Sequence, residues 1–149
     1  MSEAGRNFSE CYGYKFEDLH VGMSTSLGHT VTDADILMFA GISGDTNPVH
    51  LDDEFAQSTM FGARIAHGML SASFISAVFG TKLPGPGCIY LAQSLKFKAP
   101  VKVGDTVVAR VTVLELIPEK RRVLFDTVCT VAGKPVLEGQ AELLVPARR

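Results

Sequence analysis

The residues from His67 to Phe79 include no Asp, Glu, Lys or Arg, yet they read as a helix. Met69, Leu70, Phe74, Ile75, Val78 and Phe79 point in nearly every direction around it, and Gly68, Ser71, Ala72, Ser73, Ser76 and Ala77 fill the gaps. A helix without a charged face has to be covered by the rest of the protein. Its small residues let that cover come close, and Gly80 is a natural stop. The chain must therefore provide a layer that encloses one apolar helix.

The second half provides it. Four segments alternate with period two, roughly Ile89–Phe97, Thr106–Leu116, Arg122–Val131 and Pro135–Val145. Turn sequences at Val103-Gly104-Asp105, Pro118-Glu119-Lys120 and Ala132-Gly133-Lys134 separate the later ones and predict antiparallel hairpins. Upstream, Tyr14–Leu27 holds a Val21-Gly22 turn and then alternates weakly through Met23–Leu27, a short first strand; Thr32-Asp33 caps a helix over Ala34–Ala40, and Asp53–Ser58 reads as a further short helix. A sheet with one apolar helix buried against it is an α+β layer arrangement. With 149 residues, no repeat and no linker, a single domain over residues 1–149 is expected.

Composition removes several function classes. A net charge of −2 without a Lys/Arg run leaves nothing to track phosphates, so nucleic acid is not an expected partner. No apolar stretch reaches the roughly 18 residues of a membrane helix. The first residues lack the apolar segment of a signal peptide, which points to the cytoplasm. Cys11, Cys88 and Cys129 are widely spaced with no Cys-x-x-Cys pair, so they read as small hydrophobes and predict no metal site.

Two segments carry candidate chemistry. Between Phe39 and Asp52, Gly41, Gly44, Asn47 and Pro48 crowd turn formers together, with Asp45 and His50 on the same short stretch. Two readings stand. Asp45 caps a turn and His50 is an ordinary satisfied polar residue; or the Asn47-Pro48 turn folds them toward one point, where a carboxylate and an imidazole hold a water and shuttle its proton. In the second segment, His67-Gly68 sits where the apolar helix begins. The first N–H groups of a helix lack internal partners, and Gly68 has no side chain to block a thioester carbonyl approaching them. Packing alone is the competing reading of Gly68, and His67 reads as a cap, with a second-base role as its alternative. Lys96, Lys98 and Lys102, on and after the strand that follows a Gly/Pro loop, read as a solvated face or as phosphate contacts.

Together these segments resemble the MaoC-like hydratases, in particular the (R)-specific enoyl-CoA hydratases associated with polyhydroxyalkanoate synthesis. The resemblance spans about residues 14–146. It is sharpest in Ser43-Gly44-Asp45-Thr46-Asn47-Pro48-Val49-His50-Leu51-Asp52 and Ile65-Ala66-His67-Gly68-Met69, with support from Tyr90–Phe97 and Pro100–Asp105. It implies a hot-dog fold, an antiparallel sheet wrapped around one long central helix. It also implies hydration of a trans-2-enoyl-CoA to the (3R)-hydroxyacyl-CoA, reversibly, in polyhydroxyalkanoate or fatty-acid metabolism. Under it Asp45 and His50 are the catalytic pair, Gly68 supplies the N–H for the thioester oxygen, Asn47 shapes the loop, and Ser76 lines the site in support. Which of Asp45 and His50 is the formal base stays open. Phe79, about one turn beyond Ser76, becomes a candidate wall of the acyl pocket. No metal or redox cofactor is implied, because coenzyme A is part of the substrate. A homodimer is expected, since one sheet and one helix leave edges uncovered.

Three other readings differ in chemistry. The same reaction on acyl carrier protein thioesters would show in a comparison of pantetheine, CoA and carrier-protein substrates. A hot-dog thioesterase needs water at the carbonyl carbon and releases free thiol. A non-catalytic acyl-CoA-binding module needs only an apolar slot and phosphate contacts, and has no use for an Asp45/His50 pair.

Overall fold

The computed structural model describes residues 5–148. Short 3₁₀ turns at Ser9–Cys11 and Phe16–Asp18 precede β1, Ser24–Thr30. The short strand expected over Met23–Leu27, after a turn at Val21-Gly22, forms here and runs three residues further, with Gly22 N–H bonding the Val113 carbonyl where pairing begins. Helix α1, Asp33–Ser43, starts at a reciprocal cap in which Asp35 N–H donates to Thr32 Oγ1 and Thr32 N–H to the Asp35 carboxylate. The Thr32 N–H, with His29 beside it, holds the Asp35 carboxyl below its usual range. Then come α2, Pro48–Leu51, and α3, Asp53–Gln57. Helix α4, Gly68–Thr81, runs past Gly80, and the chain leaves it just ahead of Pro84.

The strands that follow are β2, Ile89–Gln93; β3, Lys96–Phe97; β4, Thr106–Ile117; β5, Arg122–Val131; and β6, Lys134–Leu144. They form one antiparallel sheet in the order β1-β4-β5-β6-β2, with β3 also pairing β6. The segment read as one strand over Ile89–Phe97 is broken at Ser94-Leu95. There the Ser94 carbonyl lies where a side chain on position 139 would sit, so only Gly139 lets the two backbones approach so closely.

Register lines up the inward rows. Val113, Phe125 and Ala141 face each other across β4, β5 and β6, as do Ala109, Cys129 and Leu137. Onto these rows α4 lays Leu70, Phe74, Ile75, Val78 and Phe79, all buried. The sheet thus wraps the long helix, the hot-dog layout implied by the resemblance. The cover is one-sided, however. Met69, Ser73, Ser76 and Gly80 form an exposed stripe along α4, because the strands curve around only the opposite face.

Phe79 belongs to the core. Its ring is 1% exposed and meets the rings of Tyr90 and Phe125 edge-on, at 5.2 and 4.8 Å between centroids. Phe79→Ala is expected to lower the unfolding free energy by about 3–5 kcal/mol in urea denaturation, as a large buried aromatic does when truncated. A loss under about 1 kcal/mol would show that the ring does not anchor helix to sheet.

Candidate active site

The segment between α1 and α4 folds back across the start of α4. Asn47 Oδ1 accepts from Val49 N–H at 3.1 Å, and Pro48 takes the first helical position, so Asn-Pro starts a helix here instead of only a turn. His50 is carried on that single turn and buried, at 8% exposed. Asp45 stays in the loop before it, its Oδ1 accepting from Asn47 N–H at 3.3 Å. Arg64 braces the segment: its guanidinium reaches Asp33 at 2.8 Å, Asp53 at 2.9 Å and the His50 carbonyl at 3.3 Å. One side chain thereby ties α1, α2 and α3 together.

The contacts assign the imidazole hydrogens. His50 Nδ1 lies 2.7 Å from the Ile65 carbonyl. A carbonyl can only accept, so Nδ1 carries the hydrogen and Nε2 of the neutral ring is a bare lone pair. That lone pair faces Asp45 Oδ2 at 3.9 Å. The gap is too long for a direct hydrogen bond, and both atoms are acceptors. What satisfies both is a donor between them. An oxygen about 2.8 Å from each would see the two at roughly a right angle, close to the angle between the hydrogens of water. The spacing leaves room for one water that offers a hydrogen to each atom.

His67 stands behind the pair. Its Nε2–H donates to the Asp45 carbonyl at 2.9 Å, and its ring stacks on that of His50 at 3.8 Å and 28°. Phe39 packs against the same ring at 4.8 Å. In front of the pair opens a cavity of about 520 Å³, with Asp45, His50 and Gly68 on its polar side and Phe97, Val101 and Leu137 among its apolar walls. Gly68 is the first residue of α4, so its N–H has no acceptor within the helix. An added Cβ there would come 2.5 Å from the Phe97 ring, so this position requires glycine for the close packing.

Asp45, His50 and Gly68, singled out from sequence, therefore meet at one cavity, and Asn47 caps α2 beside them without lining it. Two expectations are corrected. Ser76 does not reach the cavity; it lies on the exposed stripe, about 140° around the helix from Ser71, which does line it. Phe79 is not a cavity wall: at 1.5 Å per residue it lies roughly 16 Å along α4 from Gly68, inside the core. Of the three lysines only Lys98 lines the cavity, its Nζ 3.9 Å from Glu138.

Asp45, His50 and His67 bring one ligand atom each within 4.8 Å of one another, which raises a shared metal ion as an arrangement to test. The geometry fits one poorly. Stacked rings send their in-plane lone pairs along neighbouring planes, not to a common point. None of the described cysteines lines this cavity, and burial pushes the Cys129 thiol up to about 12 and also raises that of Cys88.

Residues 19–140 match the family model for the MaoC like domain. An (R)-specific enoyl-CoA hydratase from Rhodospirillum rubrum is 63% identical over 133 residues, covering 89% of this chain and 92% of the relative. An unliganded R-hydratase from Pseudomonas aeruginosa superposes with a TM-score of 0.87 at 45% identity, over 91% of this chain and 88% of the other. An (R)-hydratase from Aeromonas caviae, involved in polyhydroxyalkanoate biosynthesis, superposes with a TM-score of 0.85 at 42% identity, over 87% and 99%.

Proposed function

This chain belongs to the MaoC-like domain family, and we propose that it adds water reversibly across the double bond of a trans-2-enoyl-CoA, giving the (3R)-hydroxyacyl-CoA. The observation that carries the reading is the Asp45–His50 gap: two proton acceptors 3.9 Å apart, at a cavity whose rim presents the unpaired Gly68 N–H. In the mechanism the thioester oxygen sits on that N–H. Polarisation makes C3 electrophilic and stabilises the enolate that develops as oxygen adds. His50 Nε2 takes the proton of the attacking water, Asp45 holds the other hydrogen, and a proton returns to C2 from the same side. Ile65 steadies the imidazolium that forms, because its carbonyl already accepts Nδ1–H.

Addition of water changes no net oxidation state, so the reaction needs no electron acceptor, and coenzyme A enters with the substrate. The apolar walls suit an acyl chain, and Lys98 suits the charged end. The product serves polyhydroxyalkanoate synthesis or fatty-acid metabolism in the cytoplasm. None of the described helices is long and apolar enough to cross a membrane. The test is loss of the conjugated-thioester absorbance of crotonyl-CoA, with the product resolved for configuration. No loss with any enoyl-CoA, or an (S) product, would overturn the reading.

We also propose a homodimer. Strand β2 is a sheet edge exposing Ile89, Tyr90 and Leu91, and Met69 and Ser76 lie on the uncovered stripe of α4. A second copy would cover both, and would place Ser76 at an interface. Light scattering on a sizing column is expected to give twice the 16.0 kDa chain mass at micromolar concentration. A fully active monomer would contradict it.

A further inference from the structure

His50 stands on an element that cannot hold itself. Helix α2 is a single turn, Pro48–Leu51, closed by Asp52 N–H on the Pro48 carbonyl. A helix so short is not stable alone, and its last carbonyls have no donor within it. The His50 carbonyl is one of these, and the Arg64 guanidinium reaches it at 3.3 Å. The next residue holds the other end of the same histidine. The Ile65 carbonyl accepts from the ring Nδ1–H at 2.7 Å, and Ile65 N–H donates to the Val49 carbonyl at 3.2 Å. Ile65 also bridges Lys102, and Ala66 N–H donates to the Val101 carbonyl, so this clamp is fastened to a separate part of the chain. The guanidinium is itself held, its side chain only 17% exposed. Nη1 donates to Asp33 in the first turn of α1 at 2.8 Å, and Nε to Asp53 in the first turn of α3 at 2.9 Å. Three hydrogens thus go to three elements from one planar fork, a geometry that lysine lacks.

We propose that Arg64 is a positioning residue for His50. It does not line the cavity, so it acts only through the histidine. Arg64 pins the backbone carbonyl of His50 while Ile65 pins the ring, and together they fix where Nε2 points. That direction sets the 3.9 Å gap to Asp45 Oδ2. Without the guanidinium, α2 would hang on the Ile65 contacts alone. Asp33 and Asp53 would face each other without the cation between them, and the turn that carries His50 would tilt. A reacting group misplaced by about 1 Å costs up to about 10²-fold in rate, so a small tilt is enough.

The kinetic part of the test rests on the proposed hydration; the spectroscopic part does not. In the full-length protein labelled with 15N-histidine, the His50 Nδ1–H held by Ile65 gives a ring signal, assigned by its loss in His50→Ala. Arg64→Lys keeps the charge without the fork, and Arg64→Met removes both. Lysine is expected to lower kcat about tenfold and methionine about 30–100-fold, with KM within about twofold, because only the aim of a reacting group changes. In both variants the His50 Nδ1–H should exchange with water markedly faster than in the parent. Asp33→Asn combined with Asp53→Asn should reproduce part of the loss in the parent and add nothing in Arg64→Met, since the acids act through the guanidinium. An Arg64→Met variant with parental kcat overturns the proposal. So does a slow variant whose His50 Nδ1–H exchanges as in the parent, because the loss then does not pass through His50. If Arg64→Met does not fold, Arg64→Lys decides by the same two readouts. If no enoyl thioester is turned over at all, the hydration reading fails and exchange of the ring hydrogen alone decides the positioning.

Discussion

Asp45→Asn is expected to lower kcat by about 10²–10⁴-fold, the range that a positioned acid–base group contributes, in a protein that unfolds where the parent does. The amide is nearly isosteric, so the loop geometry survives. Its effect is to replace an acceptor with a group that can turn a donor toward the water, which then no longer offers a hydrogen on each side. Asp45 is half exposed, so folding loses little. His50→Ala is expected to fall within the same range, but its stability cost differs. His50 is buried and donates to the Ile65 carbonyl, and an orphaned buried acceptor costs about 1–3 kcal/mol. Combining the two substitutions should cost scarcely more than either alone, because both groups act on one water and such effects are not additive. Near-parental turnover by either single variant, with a normal circular dichroism spectrum, would remove that residue from the mechanism.

The sequence made some of this legible because certain residue types have few alternatives. An uncharged helix must be wrapped, and β4 and β5 alternate over most of their length because one face is core and the other solvent, while β6 breaks step at Val136 and Leu137, both buried beside a register shift. Asp45 and His50 were visible because they crowd into a turn-rich segment with a recognisable motif. Other features depend on contacts between distant parts of the chain. The role of Ile65 is played by its carbonyl, which no side chain advertises. Ser71 and Ser76 are the same residue type on the same helix, and only the side on which the sheet closes distinguishes the one at the cavity from the one outside. Phe79 looked like a pocket wall because helical spacing fixes direction around the axis, while distance along that axis decides whether a residue reaches the site. The Asn47-Pro48 pair was read as a turn, although Asn followed by Pro also starts a helix, and here it does.

Gly68→Pro is expected to lower kcat by about 10²–10³-fold, because it deletes the one hydrogen assigned to the thioester oxygen; losing a single oxyanion donor costs roughly 2.7–4 kcal/mol in the transition state. The backbone is already suited to the change. Gly68 opens α4, where proline is favoured and no internal bond is lost, and His67 before it sits at φ −58° and ψ 135°, within the extended region that a following proline demands. The steric problem lies elsewhere, since any Cβ at position 68 meets the Phe97 ring. Gly68→Ala keeps the N–H and brings the same crowding, so the difference between proline and alanine reports the hydrogen and not the collision. Phe97 is half exposed on the short β3, and Phe97→Ala in both backgrounds relieves the crowding and checks the comparison. Alanine should keep most of the activity in that relieved background while proline stays slow, with KM changing much less than kcat, because the missing bond matters most once charge has gathered on the oxygen. A folded Gly68→Pro that turns over as fast as Gly68→Ala would mean that another donor holds the thioester oxygen, and the transition-state assignment at the start of α4 would have to be abandoned.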